Sequence, residues 1–172
     1  MPDVIQPFGF ILLRVSGAAL VFWIISLFFP SEKIAHRDWL RFIACAFFGM
    51  VLNMLAFFKG LSLSTPINSS VIITLSPVLL LVLSAFILRE RITWLKSIGI
   101  FLGLGGALVL ILFGITEQPN APNIPVGNLL FIVNATSYSV YLILVKPLVP
   151  KYSSITLMKF LFLFALLINL PI

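Results

Sequence analysis

Charged residues are scarce in this sequence: Asp, Glu, Lys and Arg together make up 9% of its 172 residues. A soluble domain carries about 25% charged residues. Hydrophobic residues make up 61% of the chain, so folding in water would leave a large apolar surface exposed. The composition therefore excludes a soluble enzyme and indicates a chain whose solvent and partner is the lipid bilayer.

The residue types that carry out chemistry are also few. Cys45 and His36 are the only cysteine and the only histidine, and every Asp and Glu lies outside the apolar runs or at their ends. The sequence has no histidine–carboxylate cluster for a metal, no Ser–His pair inside an apolar run and no Gly-rich phosphate loop. We therefore expect no cofactor, no metal and no enzymatic activity.

Six apolar runs have about the 20 residues that a helix needs to cross the hydrocarbon core of a bilayer. Proline, glycine and charged residues separate the runs. These segments are 8–29, 39–58, 67–88, 94–114, 127–149 and 155–172. The sequence thus predicts an all-α polytopic membrane protein with about six transmembrane helices.

The basic residues, which give a formal net charge of +6, are grouped at alternate ends of these segments. The loops after segments one, three and five hold most of them: Lys33, Arg37, Arg41, Arg89, Arg91, Lys96, Lys146 and Lys151. The opposite loops hold Lys59 alone. This is a membrane-topology pattern, so we expect no nucleic-acid partner, a cytoplasmic first loop and Met1 outside. An outside start favours a further helix before Met1, although a short, slightly acidic tail can also cross unaided.

Polar side chains at membrane depth are costly and therefore mark candidate functional positions. Four of them share one face of segment five at the spacing i, i+3, i+4 and i+7: Asn134, Ser137, Tyr138 and Tyr141. Segments two and three add polar positions and a helix-interrupting proline: Asn53, Asn68, Ser70, Thr74 and Pro77. Together these residues predict a substrate pathway. Hydrogen bonding between helices is the alternative, and for the segment-five face both interpretations stay open.

Three further features of the segments carry expectations. Arg14 lies within segment one, where it could attract an anionic substrate. Lys159 lies near the start of segment six and is expected to extend its ammonium toward the membrane surface. The glycines of segment four, Gly99 to Gly106, predict a helix-packing surface.

Several local motifs belong together. Asn53 precedes a Phe-Phe-x-Gly-Leu element at 57–61, small polar residues lead to Ser76-Pro77, and the charged triplet 89–91 precedes the Gly-rich helix. The stretch 53–112 resembles the EamA family of drug/metabolite transporters. The stretch 127–141 is similar to the start of that family's second repeat, and Leu13-Arg14 is similar to the basic position early in its second helix.

The resemblance implies a ten-helix permease built from two five-helix repeats of inverted topology, with both termini in the cytoplasm. The six segments would then be helices two to seven. Residues 1–115 would form the first repeat without its first helix, 116–126 an extracytoplasmic linker loop, and 127–172 the first two helices of the second repeat.

The resemblance also implies a function. The intact protein would be an inner-membrane permease that moves small organic solutes (amino acids, metabolites or drugs) by alternating access. Its partners would be the solute and either a second copy, in a homodimer, or the remainder of the transporter. The alternative is a membrane-embedded interaction or assembly protein without transport activity.

The distribution of basic residues makes the topology testable. In a Cys45→Ala background, cysteines are introduced separately at Gln118 and Ser31. We expect a membrane-impermeant thiol reagent to label only the Gln118 position in intact cells, because the basic loops stay inside. Labelling at Ser31 alone would reverse the topology and remove the reason to expect a preceding helix.

Overall fold

The computed structural model describes residues 7–30, 32–87, 93–113 and 121–170. The charged triplet 89–91, the position of Met1 and residues 116–120 of the 116–126 linker lie outside these ranges. Within them the chain forms helices and no strand. The helices are α1 Pro7–Ser26, α2 Trp39–Ala46, a π-helical turn Phe47–Leu52, α3 Asn53–Leu63, α4 Pro66–Ile73, α5 Ser76–Ile87, α6 Trp94–Phe113, α7 Ile124–Val145 and α8 Ser154–Asn169.

These helices confirm the predicted all-α polytopic membrane class. Three stretches are long and apolar enough to span a bilayer: Gly9–Ser26, Trp39–Leu63 and Ile124–Val145. The pair α4 and α5, bent by about 40°, makes a fourth, broken span. Helix α6 has 20 residues and is therefore about 30 Å long, which matches the hydrocarbon thickness, and α8 is shorter at 16 residues.

The chain divides into two compact units. One contains residues 1–55 and 144–172, and the other contains residues 56–143. Each unit is defined by its internal contacts, so the repeat boundaries at 115 and 127 stay a prediction.

In the first unit, α8 packs against α1, α2 and the π-helical turn. Aromatic side chains fill this contact: Phe22 stacks on Phe162 with ring centroids 5.5 Å apart, and Trp39 meets Phe160 edge-on at 5.6 Å. Phe42 is fully buried beneath them. Large rings bury much apolar area with few rotatable bonds, so they order this unit at low entropic cost.

The loops at one end of the first unit are joined by polar contacts that we call the loop clamp: Glu32, Ala35, Asp38, Lys151, Tyr152 and Ser153. The buried Asp38 carboxylate accepts hydrogen bonds from Lys151 Nζ at 2.9 Å and from the Tyr152 hydroxyl at 3.0 Å. The same hydroxyl accepts the Ala35 N–H at 3.0 Å. The Glu32 carboxylate accepts the Ser153 N–H at 3.0 Å. These contacts tie the loop after α1 to the loop before α8.

Both carboxylates of the loop clamp are stabilised in their ionised form. The hydrogen bond from Lys151 holds the pKa of Asp38 below its ordinary value of 3.8, and the Ser153 backbone N–H holds the pKa of Glu32 below 4.5. A lowered pKa in the folded state stabilises the fold above the ordinary value. That stabilisation is lost as pH falls through the folded-state pKa.

Acidification should therefore open the loop clamp. We expect the thermal unfolding temperature of the detergent-solubilised chain to fall as pH drops below about 4.5, since protonation removes the charge-assisted bonds. Asp38→Asn should lower the unfolding temperature at pH 6 and flatten the acid dependence, whereas Lys33→Gln, an exposed charge in the same loop, should do neither. An acid profile of Asp38→Asn identical to that of the unmodified chain would contradict this account.

In the second unit, glycines allow α3 and α7 to cross closely. A Cβ atom on Gly127 would collide with the Ser64 side chain and lie 2.9 Å from the Gly60 carbonyl oxygen. A Cβ atom on Gly60 would lie 2.9 Å from the Phe131 ring. The glycines of α6 differ from one another, since a Cβ atom on Gly103 would lie 2.8 Å from Val78, while Gly105 has nothing within 4 Å. Within the predicted helix-packing surface of segment four, Gly103 thus packs closely against another helix, at Val78 of α5.

Gly127 is crowded and Gly105 is not, so the same substitution at the two positions tests the role of the crossing. Gly127→Ala should destabilise the chain by about 1–3 kcal/mol, because the added methyl group meets backbone atoms that cannot move aside. Gly105→Ala adds the same methyl group to open space and should leave the unfolding temperature equal or slightly higher, since alanine favours helix. Thermal unfolding in one detergent compares the two. Equal losses from both variants would show that the crossing is not the constraint.

Candidate functional site

The bend between α4 and α5 is the most irregular part of the second unit. Thr65 caps α4 by accepting the Asn68 N–H, and Pro66 occupies the first turn, where its missing N–H leaves no bond unmade. The helix ends at Ile73, and a new helix starts at Ser76. Pro77 therefore lies in the first turn of α5, the position that proline prefers.

Hydroxyl groups satisfy the backbone at this bend. Pro77 cannot donate to the Ile73 carbonyl, and that oxygen instead accepts the Ser76 hydroxyl at 2.7 Å. Thr74 and Ser70 bond carbonyls of their own helix turn in the same way, Val71 O at 2.5 Å and Pro66 O at 2.9 Å. The three hydroxyls thus pair three carbonyls of the bent span, which matters where water is absent.

A side chain of α7 reaches this bend. Ser139 is fully buried, and its hydroxyl lies 3.3 Å from the Ser76 carbonyl oxygen and 2.8 Å from Ala135 O. Ser139 lies off the predicted polar face, so its role was not evident from periodicity. Only the fold brings it against Ser76.

The predicted polar face of α7 is split by burial. Asn134, Ser137 and Tyr141 are buried, whereas Tyr138 is 42% exposed. The two tyrosine rings lie 5.8 Å apart, centroid to centroid. Tyr138 is thus the exposed member of this face on the surface of its unit.

Asn68 belongs to a buried polar cluster near the glycine crossing. Its Nδ2 lies 3.3 Å from the Ser64 hydroxyl, which in turn donates to Asn128 Oδ1 at 2.7 Å. Asn128 is fully buried, and its Nδ2 has no partner among the described residues. Sequence reasoning selected Asn68 but missed Ser64 and Asn128, although both lie beside the glycines that close the crossing.

Two predicted site residues belong to the first unit. Asn53 is half-buried and directly follows the π-helical turn, a distortion that often accompanies functional positions. Arg14 is exposed on α1. The second unit holds the other predicted pathway residues: Asn68, Ser70, Thr74, Pro77, Asn134, Ser137, Tyr138 and Tyr141.

Apolar helices of spanning length, a bent span and buried polar side chains define a multi-pass membrane protein. Residues 1–112 match the EamA-like transporter family. The chain belongs to this family, which is a family of transporters. No solved structure matches the chain.

Named relatives agree with this assignment. The chain is 29% identical over 163 residues to the uncharacterized transporter YetK of Bacillus subtilis (strain 168), a match that covers 92% of this chain and 49% of the relative. It is 30% identical over 153 residues to an uncharacterized transporter of Archaeoglobus fulgidus, covering 89% of this chain and 52% of that protein. The chain therefore spans about half the length of the curated relatives it matches.

Proposed function

We propose that this chain is part of a permease that moves small organic solutes across the cell (inner) membrane by alternating access. Amino acids, metabolites or drugs are the solute classes. The observation that carries the proposal is the bent span α4–α5, whose backbone is satisfied by hydroxyls and is touched by Ser139 of α7. Broken helices of this kind form substrate sites near the membrane midplane in transporters.

The bend suits a moving part. The Ser70 and Thr74 hydroxyls bond carbonyls on the α4 side, so a change of angle at Leu75 leaves both of them paired. The Ser76 hydroxyl bonds Ile73 O across Leu75 and is the bond of this set that such a change affects. A hydrogen bond from the Ser139 hydroxyl to Ser76 O joins the bend to α7. A single bond between membrane helices is worth about 0.6 kcal/mol, which thermal motion can break.

In the proposed register the six segments are helices two to seven of a ten-helix permease. Residues 1–115 belong to the first repeat, 116–126 to an extracytoplasmic linker and 127–172 to the second repeat. The partners are the solute and either a second copy or the remaining helices. The proposed pathway uses Tyr138 with Asn134, Ser137 and Tyr141, the bend residues Ser70, Thr74 and Pro77, and also Asn53 and Asn68, while Arg14 attracts anions.

The exposed tyrosine supplies the sharpest test of the pathway. In the complete permease, Tyr138→Ala should lower the uptake of a panel of radiolabelled amino acids and metabolites with little change in membrane abundance. The ring is half open, so its loss removes a ligand contact without opening a core. Asn134→Ala should lower uptake as well.

Thr136→Ala is the control, because Thr136 is off the face and of comparable depth on the same helix. It should leave both uptake and abundance unchanged. Ser139→Ala should reduce thermal stability, since it removes the bond to the bend. If Tyr138→Ala and Asn134→Ala reduce abundance while uptake per molecule stays constant, the face holds helices together and does not line the pathway. Absence of uptake by the unmodified permease for every solute of the panel would favour the alternative of an assembly protein without transport activity.

A further inference from the structure

A cavity in the first unit is not part of the proposed pathway. It lies between the end of α1, the loop that follows and the first turns of α8, and its volume is about 230 Å³. Its walls include Ser26, Phe29, Glu32, Thr156, Lys159 and Phe160. Drug-sized ligands occupy pockets of about 300–1,000 Å³, so this cavity suits a smaller group. Because it lies where helices meet loops, that group sits at headgroup level in a membrane.

Lys159 supplies the positive charge of this cavity. Its Nζ lies 4.0 Å from the centroid of the Trp23 ring and 5.6 Å from that of Phe160, and the residue is half-buried. Within the described ranges its ammonium forms no ion pair. The face of an aromatic ring attracts a cation, but it is not a hydrogen-bond acceptor of the strength of an anionic oxygen. The three N–H donors of the ammonium therefore remain able to bind an anion. The site thus favours an anionic oxygen group.

Glu32 supplies a negative charge to the same cavity. Its carboxylate is held by the Ser153 N–H at 3.0 Å and by the Ser153 hydroxyl at 3.2 Å. The Ser153 N–H lowers its pKa, so the group is ionised at neutral pH. A carboxylate offers about four acceptor positions. The Ser153 N–H, the Ser153 hydroxyl and the Thr156 side chain take three of them, so capacity remains for one further donor. The cavity therefore presents one cation and one anion that are not paired with each other.

Exposed apolar residues, which we call the apolar track, flank the cavity-lining residues Ser26 and Phe29 in sequence. Ile24, Leu27 and Phe28 are exposed on the last turn of α1 and just beyond it, at 58%, 78% and 82%. In a membrane protein such a surface faces acyl chains. A molecule that fills the cavity with its polar end can lay an apolar tail on this track.

The geometry points to a binding site for the headgroup of a zwitterionic aminophospholipid. The phosphate binds Lys159 Nζ beside Trp23, and the ammonium faces the Glu32 carboxylate and the Phe29 ring. The acyl chains lie along the exposed residues of α1. An aminoalkyl phosphate free in solution has the same headgroup chemistry, and the track on α1 favours the lipid as its source.

Native mass spectrometry of the purified 172-residue chain, released from detergent micelles, tests this assignment by the bound fraction at each lipid concentration. We expect phosphatidylethanolamine to bind more tightly than phosphatidylglycerol, which has the phosphate without the ammonium. Lys159→Gln should weaken phosphatidylethanolamine binding about tenfold, since a charge-assisted bond is lost. Lys159→Arg should retain it, which separates loss of charge from loss of folding. Lys33→Gln, the matched loop charge outside the cavity, should change nothing.

Glu32→Gln should make the affinities for phosphatidylethanolamine and phosphatidylglycerol equal, because the carboxylate that faces the ammonium is lost. A general loss of folding would weaken the binding of both lipids and would not remove the difference between them. Free phosphoethanolamine at the same concentration should bind weakly, and binding equal to that of the lipid would assign the site to a soluble zwitterion. Phosphatidylglycerol binding as tightly as phosphatidylethanolamine in the unmodified chain would overturn the proposal. So would unchanged lipid affinity in Lys159→Gln.

Discussion

Inside a bilayer, a backbone N–H or C=O group has no water to bond, so each one needs a partner within the protein. Much of this structure follows from that constraint. Most of the described apolar residues are helical, and at several helix ends a side chain supplies a bond that the backbone lacks. Pro77 has no N–H, and the Ser76 hydroxyl donates to Ile73 O in its place. The Thr65 side chain caps the start of α4. At α8, Ser153 caps the helix while Glu32 accepts the Ser153 N–H.

The same constraint separates two kinds of polar residue. Hydroxyls such as those of Ser70 and Thr74 bond their own helix and add nothing to packing between helices. Ser64, Asn68 and Asn128 bond one another where the glycine crossing brings their helices together. Among the described residues the ion pair lies in the loops, where the loop clamp joins Asp38 to Lys151. Depth in the membrane thus decides which polar chemistry is available at each position.

Sequence patterns predicted the helices well, because the period and length of apolar runs are local properties. Segment four was predicted at 94–114 and is helical over Trp94–Phe113, and segment three was predicted with a break that the fold confirms beside Pro77. The π-helical turn at 47–52 contains no proline and no charged residue from which it could have been predicted. The partners of Asp38 and Ser139 were also beyond reach, since they lie 113 and 63 residues away and their meeting depends on packing. The loops that hold Asp38 and Lys151 were predicted on the same side of the membrane, and the opposite charges of these two residues were the one sequence feature that pointed to the loop clamp.

The candidate site was predictable in its residues more than in its arrangement. Helical spacing placed Asn134, Ser137, Tyr138 and Tyr141 on one face, but a helical wheel cannot say which part of that face another helix covers. Burial divides the set, since Tyr138 is 42% exposed and the other three residues are buried. A residue that only joins helices gains nothing from exposure, because its bond is strongest where competing partners are excluded. The exposure of Tyr138 is therefore the feature that sets it apart from its buried neighbours, and this distinction rests on tertiary structure and not on periodicity.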